Sequence, residues 1–243
     1  MVNTMQWQDL GRMGYRQSLA LQDKLRSLRM AGHIGDRLLF VEHPPVFTIG
    51  RRECSEDFLS SAQAIAAEGI EVVKTNRGGR VTYHGPGQLV GYFICHLDSL
   101  GLGVRDFVRA VEEICIQTAA GFGIRAHRDE GCPGVWVGQD KLGAVGLNVS
   151  HGITQHGFAL NVDCDLGAFR HITACGIKGR GITTMADVLG RAPPMDEVKG
   201  RVIEMTSKVL SRRLIKLVDQ PEVKVGPPGP GGSALGFSSG FSS

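Results

Sequence analysis

Residues 134–163 read GVWVGQDKLGAVGLNVSHGITQHGFALNVD, and their period sets the fold class. Apolar and polar residues follow strand spacing, and GVWVGQDKLGAVGLNV reads as a hairpin turning at Gly138 to Asp140. The segment 152–166, GITQHGFALNVDCDL, supplies another strand of the same sheet. The hairpin's second strand carries small residues, Gly143, Ala144 and Gly146, that leave room beside the backbone.

Upstream the period is different. Leu21, Leu25 and Leu28 share a helical face in residues 15–29, and GVRDFVRAVEEICIQTAAGFGI (103–124) places Phe107, Val111, Ile114 and Thr118 on one face before Gly121. SEDFLSSAQAIAAEGI (55–70) predicts a helix with Ser55 as N-cap and acids in its first turn, stopping near Gly69. RLLFVEHPPVFTIG (37–50) reads as two strands around a proline corner, and IEVVKTN (70–76) as a β-branched strand. A helix begun by prolines is expected over 193–214. Helices, strands and then hairpins make a single α+β domain, with a mixed sheet covered mainly on one face, over residues 1–220. Residues 221–243 are Gly, Pro and Ser rich, with too little apolar surface to offset the entropy of ordering them, and read as a disordered tail.

Hydrophobic and charged contents of 42% and 21% are ordinary for a soluble chain, and a formal charge of +3 is too small for a nucleic-acid binder. That charge is compatible with an acidic macromolecular partner. No apolar run approaches a membrane span, and the amino-terminal stretch lacks a signal-peptide core, so a cytoplasmic protein without membrane contact is expected. Six dispersed cysteines without a CxxC point to reduced thiols, and Cys and His are not grouped at zinc spacings. No metal or cofactor is expected.

Three stretches carry candidate chemistry. NRGGRVTYHGPGQLVGYFI (76–94) combines two adjacent glycines, Arg77, Arg80, Tyr83 and His84 ahead of a strand, yet contains neither a P-loop nor a dinucleotide fingerprint. KLGAVG starts at Lys141, and His156 precedes Gly157 in HGFALN. HITACGIKGRGIT (171–183) sets Cys175 among small residues with Lys178 and Arg180 nearby; a cation beside a thiol favours the reactive thiolate. Taken singly, a turn, a solvated lysine and a core cysteine explain them as well.

Together, and in this order over residues 8 to about 215, the stretches resemble the lipoyl(octanoyl) transferase family. Its RGG-x-x-T-[FY]-H-G-P-G-Q-x-V block is matched by residues 77–90, its K-[IVL]-x-[AS]-[IVL]-G block by KLGAVG, and its HG-x-AL-N block by HGFALN. The resemblance implies the fold shared by biotin and lipoate protein ligases. It also implies transfer of octanoyl from octanoyl-acyl carrier protein to a lysine of lipoyl domains in 2-oxoacid dehydrogenase complexes and the glycine cleavage H protein.

Carried over by position, Cys175 is the acyl-thioester nucleophile and Lys141 the group that lowers its pKa and relays protons. Arg77, Gly78, Gly79, Arg80, Val81, Thr82, Tyr83 and His84, with Ala144, Val145, Gly146, His156, Gly157, Phe158 and Ala159, line the acyl pocket. Backbone N–H groups near Gly79 or the Cys175–Gly176 turn are candidate oxyanion donors. One position departs: Ala174 stands where the family usually has proline before the nucleophile. An ATP-dependent lipoate or biotin ligase, a non-catalytic binder of acyl carrier or lipoyl domains, and a general cysteine hydrolase are the competing readings.

Overall fold

A computed structural model describes residues 3–52, 55–173 and 180–217. In chain order the elements are β1 (Thr4–Arg12), α1 (Tyr15–Met30), β2 (Arg37–Glu42), β3 (Val46–Ile49), α2 (Ala62–Ala67), β4 (Glu71–Lys74), β5 (Val81–His84), β6 (Gln88–Ile94), α3 (Leu97–Leu100) and α4 (Val104–Ala120). They continue with β7 (Val135–Val137), β8 (Asp140–Ser150), β9 (Ile153–Asn161), α5 (Met185–Leu189), α6 (Met195–Leu210) and β10 (Arg213–Lys216). Among the described residues the strands form a seven-stranded sheet ordered β10-β1-β2-β6-β9-β8-β7 and a three-stranded sheet ordered β4-β3-β5. Both sheets are mixed, since β1 runs parallel to β2 and β10, β3 runs parallel to β4, and the other pairs are antiparallel.

The hairpin of residues 134–150 forms as its period requires, with Gly138 at φ 57° in the turn between β7 and β8. The β8–β9 connection turns on His151 and Gly152, both at positive φ. Strands β6 and β9 are buried at every position, so the sheet's centre is covered on both faces rather than mainly on one. Leu89, Phe93, Phe158 and Leu160 meet Phe107, Val111 and Ile114 of α4 and Val198 and Val202 of α6. Their alternates Val90, Tyr92, Ile94 and Ala159 face the other way, with Leu25 of α1 packed against them.

That second cover explains why the leucine stripe expected on α1 is only half-buried. The residues α1 buries are Tyr15, Ser18 and Gln22, because it lies over a polar region and hydrogen bonds decide its orientation there. Two other expectations shift. The helix foreseen over 55–70 is a 3-10 turn at Ser55–Asp57 and then α2, capped by Ser61, whose Oγ accepts from Ala64 N at 3.2 Å. Glu56 and Asp57 are drawn instead to the Arg80 guanidinium, at 2.6 Å each. The last helix ends at Leu210, Ser211 takes φ 51°, and β10 then pairs with β1 through Met5 and Leu214. The tail falls outside the described residues.

Candidate active site

A cavity of about 320 Å³ is lined by residues of both sheets, by Val104 and Val108 of α4 and by the loop before β7. Its wall draws on two of the three sequence stretches: residues 77–82 with His84, and the KLGAVG and HGFALN segment through Lys141 and Ala144 to Gly146 on β8 and His156 to Ala159 on β9. Tyr83 is the exception among the expected pocket residues. Its ring meets Phe47 in a tilted and Phe169 in a T-shaped contact, at 5.6 and 5.5 Å, in the core of the small sheet. Cys175 and its neighbours 174–179, including Lys178 and Gly176, lie outside the described residues.

Close backbone approach shapes this wall. A Cβ on Gly157 would lie 2.1 Å from the Gly91 carbonyl oxygen, so the glycine after His156 is what lets β9 close on β6. Gly79 has φ +88° and the Cβ position of Gly50 falls 2.3 Å from its carbonyl, so this loop crosses β3's end at backbone distance. Small side chains at 144, 146 and 159 then leave the space that larger ones would fill.

The polar wall is wired together. Arg77 is buried and donates to the Thr48 carbonyl at 2.6 Å, to Thr48 Oγ1 at 2.9 Å and to the Gly78 carbonyl at 3.0 Å. Gln88 Nε2 donates to Asn161 Oδ1 at 2.8 Å, which turns its Oε1 toward His84 Nδ1 at 2.7 Å. His84 is thereby the Nδ1–H tautomer, with Nε2 3.4 Å from the Thr48 hydroxyl. Burial, reinforced by the neighbouring His43 and the Arg77 charge, pushes His84 down to about 3. His156 donates from Nε2 to Asn76 Oδ1 at 2.6 Å, and burial next to Arg77 brings it also to about 3. Both imidazoles are neutral at pH 7. Tyr15, stacked on His84 at 5.9 Å, is raised to about 12 by burial, and Tyr92 donates to His43 Nε2 at 2.7 Å.

Lys141 stands at the opposite wall and is 6% exposed. Its Nζ lies 3.5 Å from Cys132 Sγ and 5.0 Å from the Trp136 ring centroid. Its backbone N–H donates to the Gly181 carbonyl at 3.0 Å, and its carbonyl accepts from Thr183 N at 3.1 Å. Upstream, Thr173 N donates to the Asp57 carbonyl at 2.7 Å. The chain on either side of residues 174–179 is therefore tied down, and its downstream end is tied to Lys141 itself. Arg180 pairs with Asp129 at 2.6 Å and lies 3.6 Å over Trp136.

Comparison with known proteins decides what this arrangement belongs to. The lipoyl protein ligase A/B catalytic domain matches residues 14–207. The octanoyltransferase of Chloroflexus aggregans is 44% identical over 207 residues, covering 84% of this chain and 94% of that one. The chain belongs to the octanoyltransferase family. Another member, the octanoyltransferase of Acidobacterium capsulatum, is 47% identical over 72% of this chain and 77% of its own length. A bipartite lipoate protein ligase from Thermoplasma acidophilum has the same fold, with a TM-score of 0.69 at 16% identity over 89% of this chain and 88% of that one. Membership makes the protein an acyltransferase on a biotin/lipoate ligase-like α+β fold, as the motif blocks lead one to expect. Among the described residues no helix is long and apolar enough to cross a membrane.

Cys132, Trp136, Tyr15, Tyr92, His43, Asn76 and Gln88 escaped the sequence reading. The one signal for part of this set is Ser18 and Gln22, polar residues that α1 buries. A polar stripe on a covered helix face marks a polar cavity beneath it.

Proposed function

We propose that the protein transfers octanoyl from octanoyl-acyl carrier protein to a lysine of lipoyl domains through a thioester on Cys175, with Lys141 as its proton partner. The acceptors are the lipoyl domains of 2-oxoacid dehydrogenase complexes and the glycine cleavage H protein. The observation that carries this reading is the backbone pairing of Lys141 with Gly181 and Thr183, because it returns the chain leaving Cys175 to the strand of the lysine. The Lys141 ammonium favours the Cys175 thiolate, which attacks the thioester carbonyl and expels the carrier's thiolate. One thioester replaces another, so no ATP enters. The acceptor amine then attacks acyl-Cys175, Lys141 takes its proton, and amide formation drives the second half forward.

The wall residues support that assignment. Ala144, Gly146, Gly157 and Ala159 offer a small-residue lining, flanked by apolar Val145 and Phe158, for an alkyl chain. Arg77 with neutral His84 and His156 supplies fixed polar groups, and among the described residues the lining holds no carboxylate that would repel a developing oxyanion. The test is peptide mapping after incubation with octanoyl-acyl carrier protein, followed by addition of a lipoyl domain. Octanoyl on the Cys175 peptide, chased to the domain, is the expected result. A Cys175→Ala variant that still transfers at the parent rate removes Cys175 from the role.

A further inference from the structure

The contact between Lys141 and Cys132 assigns a second thiol to the cavity. Cys132 lines it and is half-buried, whereas Cys95, Cys115 and Cys164 are buried, so its sulfur can be met from the cavity. The loop that carries it is held at several points. Asp129 Oδ1 accepts from Gly131 N at 2.9 Å and Cys132 N at 3.0 Å, and the Trp136 indole donates to the Cys132 carbonyl at 3.1 Å. Two residues on, Gly134 N donates to buried Glu112 at 2.8 Å. Gly134 takes φ +142°, and a Cβ there would fall 2.6 Å from Lys141 Cε, so the lysine stem runs directly over this backbone.

Lys141 brings a positive charge to the sulfur, while the two nearby carboxylates of known pairing are each matched by an arginine. Asp129 is neutralised by Arg180 at 2.6 Å, and Glu112 by Arg128 at 3.4 Å. The ammonium at 3.5 Å is the charge in direct contact with the thiol. A cation in that position stabilises the thiolate, the nucleophilic form.

We infer that Cys132 is a second acyl-accepting thiol of this cavity, presented against Lys141 by its anchored loop and acylated by thioesters. The inference rests on the acyl-transfer reading of the same site. In the step, the Cys132 sulfur forms a bond to the thioester carbonyl carbon and the bond from that carbon to the donor's sulfur breaks. The departing thiolate takes a proton from the Lys141 ammonium. Atoms and charge balance without a further reactant, and a thiol reverses the step.

The experiment uses the full chain and octanoyl-acyl carrier protein, with peptide mapping of thioester adducts. Cys175→Ala is expected to carry octanoyl on the peptide containing Cys132, removable by hydroxylamine and absent from Cys132→Ser/Cys175→Ala. Adding Lys141→Met to Cys175→Ala is expected to slow this labelling about tenfold at neutral pH, the effect of one pKa unit. No label on Cys132 in Cys175→Ala, while Cys132→Ser still labels Cys175, overturns this inference and leaves the acyl-transfer reading standing. Absence of label on Cys175 in the parent and in Cys132→Ser, with Cys132 labelled, overturns that reading instead. Iodoacetamide alkylation of the parent chain checks the thiol without relying on a variant's folding. Cys132 is expected to react ahead of buried Cys95, Cys115 and Cys164; a Cys132 that reacts no faster than these three sinks the proposal.

Discussion

The two faces of the large sheet are equally buried and chemically opposite. On one, Phe93, Phe158 and Leu160 interlock with Phe107, Val111 and Ile114 of α4 and with Val198 and Val202 of α6. On the other, Tyr92 and His156 meet Gln22 of α1, His43 bonds Tyr92 and packs its ring on His84, and His84, Thr48 and Arg77 are joined by hydrogen bonds beside the cavity. The first face is non-directional, so volume is what matters there. On the second, each polar group must find a partner of fixed geometry, since an unsatisfied buried donor costs about 1–3 kcal/mol. The apolar face supplies stability, and that lets the polar face be specialised for chemistry.

Substitutions on the two faces should therefore separate stability from activity. Lys141→Ala is expected to lower acyl transfer by about 10²–10⁴-fold, the range for a lost proton-transfer group, with near-parental urea unfolding. A matching fall in stability would show that the lysine is a packing element. Phe107→Ala on the opposite face should cost about 3–5 kcal/mol in urea unfolding, while the surviving folded protein keeps its transfer rate per molecule. If activity fell further than the folded fraction, the faces would be coupled through the sheet.

Gly157→Ala tests the seam between them. Its methyl would meet the Gly91 carbonyl, and overpacking of this kind costs about 1–3 kcal/mol, to be read by thermal unfolding together with KM for the acyl donor. The last prediction concerns pH dependence. His84 and His156 are held near 3 in the folded chain against 6.5 in the unfolded one, so only the unfolded chain gains their protons between those values. Stability from their burial is then complete above pH 6.5 and falls as the pH drops from 6.5 toward 3. His84→Gln should flatten part of the slope of Tm against pH in that window, and an unchanged slope would mean the polar face does not shield this group from protonation.

Much of this was legible along the chain. The periodicity of 134–163 and 103–124 placed β7, β8, β9 and α4, and the order of the RGG, KLGAVG and HGFALN blocks placed most of the cavity wall. What failed was of one kind. Ser55 was a plausible cap until Arg80 claimed the two acids that follow it. The edge strand β10 is four residues long and mostly exposed, and it exists through its pairing with β1. Tyr83 sits inside a motif block yet faces the small-sheet core.

The sequence by itself determined which residues were available for acyl chemistry and which segments would be helix or strand, because those depend on side-chain type and on spacings of two to four residues. Only the tertiary structure decided which cysteine meets Lys141 among the described residues, and it was Cys132, nine positions upstream across the β7–β8 turn. It likewise decided that His84 and His156 are neutral, since desolvation is a property of what packs around a group and not of its neighbours in the chain.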